Sequence, residues 1–165
     1  MGLREDLTII LKQEQRLQFP TFDEESAWKM GCRLRDMAIA RSAPVVIDIR
    51  RFGQLLFFCA MAGSTPDNAE WARRKSNVVA RFHRSSYGLG LELQQTNTSL
   101  TDRFGLVLTE FAAHGGSFPI AIAGSGVIGS VAVSGLPQRA DHELVVQALC
   151  HELGCEYAEF RLPPE

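Results

Sequence analysis

Leu3, Leu7, Ile10 and Leu11 recur at helical spacing, which predicts a core-facing helix from residue 3 to about residue 17. A second stripe follows in Ala27, Met30, Leu34 and Ala38, widened by Trp28, Cys32 and Ile39. Thr21 and Glu24 have the spacing of a capping box for this helix, and Asp23, Glu24 and Glu25 suit the positive end of its dipole. The period then changes from helical to alternating. "PVVIDIR" and "QLLFFCAMA" are rich in branched and aromatic residues and are separated only by Arg51-Phe52-Gly53, the signature of an antiparallel hairpin. Leu55, Phe57, Cys59 and Met61 alternate with Leu56, Phe58 and Ala60, so the second strand is apolar on both faces. A helix is expected over each face.

Thr65 and Pro66 open a third helix as cap and first helical residue, with Trp71, Val78 and Phe82 facing inward. Ser85 to Gln95 reads as a short helix that Gly88 and Gly90 weaken. "QQTNTSLTDR", Gln94 to Arg103, is the most polar stretch and reads as a surface loop, the one candidate for disorder. "TEFAAH" suggests one helical turn stopped by Gly115-Gly116. Asp141 is placed to cap a last helix running to about Leu153, ended by Gly154.

"GSGVIG", Gly124 to Gly129, spells the glycine fingerprint of a dinucleotide-binding turn. Such a turn must lead into a helix whose amides meet the pyrophosphate. Here Val127, Val131 and Val133 alternate with Ile128, Ser130 and Ala132, and Phe118 to Ala123 is strand-like on the other side. A second hairpin is therefore expected, and a dehydrogenase is not. Two hairpins with intervening helices give an α/β (α+β) fold: a mostly antiparallel sheet with helices on both faces, one domain over residues 1–165.

Composition narrows the partners. A formal net charge of -2 argues against general nucleic-acid binding, which needs a basic surface. No apolar run approaches the length of a membrane helix and the first residues lack the pattern of a secretory signal, so a cytoplasmic protein is expected. Cys32, Cys59, Cys150 and Cys155 lack metal-site spacing and read as reduced thiols. No serine stands in a nucleophile elbow.

His114 precedes Gly115 and Gly116, where backbone can approach a ligand closely. Its imidazole reads as a candidate ligand, or else as the maker of a loop hydrogen bond. His142, between Asp141 and Glu143, reads as a ligand or as part of a helix cap. Arg73, Arg74 and Lys75 fan around the third helix, while Arg73, Asn77, Arg81 and Arg84 share one face. That stripe suits the carboxylates of a small organic acid, or a solvated face and ion pairs across a subunit boundary.

The runs "FPTFDEESAWKMG", "VVIDIRRFGQLLFF", "GSTPDNAEWARRKSNVVARFHRSS", "AAHGGSFPI" and "GVIGSVAVSGLPQRADHELVVQAL" resemble the motif series of uncharacterised protein family 0303, a branch of the haem-degrading-domain superfamily. The resemblance implies a profilin-like three-layer sandwich of about five strands and a homo-oligomer. It also implies binding of haem or another anionic small molecule. His114, Gly115, Gly116, Arg73, Arg74, Lys75 and His142, singled out by their own chemistry, are then the candidate ligand-binding residues, His114 for haem iron and the basic stripe for haem propionates. An oligomeric scaffold without small-molecule chemistry is the alternative. An enzyme acting on a small organic acid is a third reading, for which the sequence offers no acid, base or nucleophile constellation.

Overall fold

The computed structural model describes residues 2–165. Strands β1 (Val46–Arg51), β2 (Gln54–Ala60), β3 (Ser117–Ile122) and β4 (Gly126–Ser134) form one antiparallel sheet in the order β2-β1-β4-β3. Each hairpin pairs neighbours in sequence, and the hairpins join where β1 runs against β4, Val46 opposite Ser134 and Arg51 opposite Gly129. The expected fifth strand is reduced to one parallel bridge between Phe19 and Ile122. Phe19 N–H donates to Ala121 O and Ala123 N–H donates to Phe19 O, both at 2.8 Å. Pro20 has no amide with which to extend that ladder.

"GSGVIG" is a hairpin turn and a strand start. Gly124 and Gly126 take positive φ of 77° and 117°, and the chain continues as β4, not as a helix. Gly129 is required by close approach, since a Cβ there would overlap the Arg50 carbonyl on β1.

Helices α2 (Glu24–Ala40) and α6 (Gln138–Leu153) cover one face of the sheet, α3 (Pro66–Phe82) the other. The α2/α6 side holds the main core, in which Ile47, Ile49, Phe118, Ile120, Val131 and Val133 are essentially inaccessible. On the opposite side Val46 and Ala132 meet Ala72 of α3. Small residues there let the helix lie close to the strands. Helices α1 (Gly2–Arg16), α4 (Ser86–Gln95) and α5 (Leu100–Phe104) lie outside this sandwich, where Leu89, Leu93 and Leu100 form a separate cluster with Val78 of α3.

Four details depart from the sequence expectation. Asp23, not Thr21, caps α2: its Oδ1 accepts from Ser26 N–H at 2.9 Å while Ser26 Oγ accepts from Asp23 N–H at 3.1 Å. Helix α6 starts at Gln138 behind Pro137, so Asp141 lies inside its first turn instead of capping it. The polar run from Gln94 contains the end of α4 and all of α5, whose start is capped by Ser99 Oγ accepting from Asp102 N–H at 3.1 Å. Finally, α2 covers one face of β2, but α3 lies over β1, β3 and β4. Leu55 and Phe58 of β2 stay 50% and 44% exposed.

Candidate functional site

Residues 105–116 connect α5 to β3, and the part from 107 to 116 carries the "TEFAAHGG" motif. One turn closes where Phe111 N–H donates to Val107 O at 3.2 Å, and the chain then passes through irregular residues 111–113 to a bend at His114 and a turn at Gly115-Gly116. Helix α3 holds this loop, with Ala112 N–H donating to Arg74 O (3.2 Å) and Asn77 Nδ2 to Glu110 O (2.7 Å). Helix α6 holds its end, Gly115 N–H donating to Gln138 Oε1 at 3.1 Å. Gly116 has φ of 135°, and a Cβ there would overlap Val133 O and stand 2.9 Å from Lys75 Nζ. Only glycine lets the loop enter β3 this close to a buried amine.

The loop delivers His114 to Trp71 of α3, edge to face, with ring centroids 5.1 Å apart. The guanidinium carbon of Arg74 lies 4.1 Å from the centroid of the same indole, a cation–π contact. Two cavities meet at this group. The larger, about 520 Å³, is mainly apolar, walled by Leu91, Leu93, Leu100, Leu108 and Phe111, with Arg74 at its edge. The smaller, about 240 Å³, is polar and holds Asn68, Lys75, Ser134 and Asp141. Trp71, His114 and Gln138 border both and divide them.

His114 loses hydration where it packs, and the charges of Lys75 and Arg74 add to this, so its pKa falls below the ordinary histidine value. A neutral imidazole, with a nitrogen lone pair free, therefore faces the cavities at neutral pH. Lys75 and Asp141 are 3% and 1% exposed. Lys75 Nζ donates to Asp141 Oδ2 at 3.1 Å, and lies 3.4 Å from both Ser134 Oγ and Val133 O. Asp141 also accepts from Leu136 N–H at 2.9 Å and Gly135 N–H at 3.3 Å. Burial pushes the amine down and the carboxyl up.

Of the seven residues the sequence singles out, the structure brings together His114, Gly115, Gly116, Arg74 and Lys75. Arg73 turns away, paired with Glu70 at 3.0 Å and Glu110 at 2.9 Å. Arg84 at the far end of the stripe is paired with Glu14 at 2.7 Å. The two ends of the stripe are thus used in ion pairs within the chain, while Arg81 between them lies near the rings of Phe82 and Phe111. His142 is wholly buried beneath Tyr87 and Phe118, away from both cavities, and its Nε2 bonds Gln13 Oε1 at 2.8 Å. It is a core residue that joins α6 to α1. Trp71, Gln138, Asp141 and the α4–α5 leucines belong to the site without having been singled out. Trp71 and the leucines look like ordinary core in sequence, and Gln138 and Asp141 meet the loop only through the fold.

Comparison with known proteins decides the family. Residues 22–150 match the model of the haem degrading protein HbpS-like family. The chain belongs to this family. It is 57% identical over 163 residues, 99% of each chain, to a UPF0303 protein of Acidobacterium capsulatum. Among solved structures it resembles the Ybr137w protein with a TM-score of 0.81 and 28% identity over 88% of this chain and 86% of that one. The structure of the PduOC–haem complex shares the fold alone, with a TM-score of 0.68 and 17% identity over 79% and 94% of the two chains. These neighbours agree with the three-layer architecture of the HbpS-like fold. Among the described residues no helix is long and apolar enough to cross a membrane.

Proposed function

We propose that the chain binds haem or another planar, anionic small molecule in the larger cavity, as the solved PduOC–haem complex suggests for this fold. One observation carries this reading: the residue 107–116 loop places the neutral imidazole of His114 at an apolar cavity of about 520 Å³ that also borders the Arg74 cation. The volume lies within the range of small-molecule sites. The residues present fit haem: His114 would offer a nitrogen to the iron, Arg74 would pair with a propionate, and the leucine and phenylalanine walls would shield the macrocycle from water. Bound haem would supply ligand-binding and redox chemistry at its iron. The residues of this chain bind it, orient it and exclude water.

The test is titration of apo-protein with haemin. A saturable Soret shift is expected, lost in His114→Ala and retained in His142→Asn. A linear response insensitive to His114 would overturn the reading.

Assembly as a homo-oligomer belongs to the same proposal. β2 is an edge strand, and Trp28, Phe52, Leu55 and Phe58 stand around it 60%, 73%, 50% and 44% exposed. An open strand edge flanked by large apolar side chains is a template for pairing. A second copy docked edge to edge would cover the face of β2 that α3 leaves bare.

A further inference from the structure

Lysine is scarce in this chain: Lys12, Lys29 and Lys75 are its only three among 17 basic residues, the others being arginine. Arginine also makes nine of the ten ion pairs among the described residues, and Lys75–Asp141 is the exception. It is also the most buried of the ten. Arginine is ordinarily favoured for a buried pair, because its planar fork satisfies a carboxylate bidentately and its charge is weakly hydrated. The residue used here instead is the one that carries a primary amine, and Lys75 is the one buried lysine of the three, with its amine at the polar cavity.

The surroundings suit carbonyl chemistry. A carboxylate stands 3.1 Å from the amine and a hydroxyl 3.4 Å, and the imidazole of His114 borders the same cavity. The side-chain amides of Asn68 and Gln138 line it too. Their oxygens are engaged by Thr65 N–H and Gly115 N–H, which leaves the NH₂ groups as donors for a small carboxylate. The cavity of about 240 Å³ has room for a molecule of a few carbon atoms.

We infer that the polar cavity is a second binding site, where Lys75 forms a reversible imine with a small aldehyde or 2-oxo acid. The ammonium passes a proton to Asp141, and the nitrogen pair attacks the carbonyl carbon, making a C–N bond as the C=O π bond breaks. The oxygen takes the proton back from Asp141 to give the carbinolamine. Its hydroxyl leaves as water, taking one of the protons on nitrogen through Asp141 or Ser134, and the C=N bond forms. The sum is ammonium plus carbonyl compound giving protonated imine plus water, with no oxidant or reductant consumed. Burial, which lowers the proton affinity of Lys75, raises the fraction of free amine. The inference does not depend on haem, since the imine forms on the other side of the Trp71–His114 divide.

The test treats the full chain with glyoxylate and sodium cyanoborohydride, then maps label by peptide mass spectrometry. Reduction of an imine leaves a carboxymethyl group on the lysine that formed it. Lys29 is exposed and Lys12 half-buried, so each serves as an internal control for unassisted reaction. Lys75 is expected to label about tenfold faster than either, and Asp141→Asn to slow Lys75 alone. Labelling of Lys75 no faster than Lys29 in the wild-type protein would overturn the inference, and that comparison requires no variant to fold. Lys75→Arg, which keeps the cation, is expected to abolish the fast label. Fast labelling of Lys75 in a wild-type protein that shows no saturable haemin binding would count against the haem reading only.

Discussion

His142 Nε2 and Gln13 Oε1 lie 2.8 Å apart with both side chains wholly inaccessible to solvent. Gln13 Nε2 donates onward to Phe160 O at 2.6 Å, so Gln13 Oε1 accepts and His142 carries its proton on Nε2. The bond ties the last helix, the first helix and the C-terminal segment together. Burial holds the His142 pKa down at about 3.

A histidine held neutral makes the fold acid-sensitive. Above the unfolded value of about 6.5 it is neutral in both states, and its interactions stabilise the fold in full. Below that, the unfolded chain takes up a proton that the folded chain refuses, so stability falls by about 1.4 kcal/mol per pH unit down to the folded value. Asp141 and Glu143, raised by burial, act in the opposite sense, and His114, also lowered by burial, acts in the same sense as His142. Urea unfolding is therefore compared between wild type and His142→Asn just below about pH 6.5. The slope is expected to be smaller in His142→Asn, and smaller still when His114→Ala is added.

Asp141→Ala strands the Lys75 ammonium, and a loss of about 3–5 kcal/mol is expected from equilibrium unfolding. The double variant Lys75→Met, Asp141→Leu removes both charges and is expected to recover most of that loss. A double variant as unstable as the single one would show that the Leu136 and Gly135 amides, not the amine, are what Asp141 chiefly serves.

Gly116→Ala forces a Cβ against Val133 O at a φ of 135°. A destabilisation of roughly 2–3 kcal/mol is expected in thermal or urea unfolding, with weaker haemin binding because His114 two residues earlier is displaced. Gly124→Ala, whose Cβ would meet nothing within 4 Å, is the control for positive φ alone.

Arg74 and Arg73 are neighbours in sequence with different surroundings. Arg73→Ala breaks pairs with Glu70 and Glu110 on the surface and is expected to leave ligand affinity within about twofold. Arg74→Ala removes the cation bordering the larger cavity and is expected to weaken an anionic ligand about tenfold or more. Equilibrium titration of both variants makes the comparison.

Leu55→Glu and Phe58→Lys place charge on the exposed face of β2. Light scattering after size exclusion is expected to show a smaller assembly, while the circular dichroism of the subunit stays unchanged. An unaltered mass would exclude β2 as the pairing edge.

The sheet was legible because each hairpin announces itself locally, by alternation on either side of a short glycine turn. The same locality failed at Thr21 and Asp141, where several polar residues compete to cap and the choice depends on where the helix docks. Gly88 and Gly90 read as weaknesses of α4, yet a Cβ at Gly90 would overlap Ala113 O, a contact between segments far apart in sequence. At the site, His114, Gly115 and Gly116 stood out because glycine beside histidine is unusual chemistry in one place. The Lys75–Asp141 pair spans 66 positions, and no periodicity or motif links two residues so distant. Arg73 and Arg74 look alike in the sequence, and only the position of Trp71 and Glu110 separates their roles.

Because one indole forms part of the wall between the two cavities, the protein carries its own optical probe. Trp71 and Trp28 are its only tryptophans, and Trp28 sits on α2, across the sheet and 60% exposed. With Trp28 replaced by phenylalanine, intrinsic fluorescence would come from Trp71 alone. Quenching by a dye-like occupant on one side and an emission shift from a small polar one on the other would then be separable in a single cuvette, without any label.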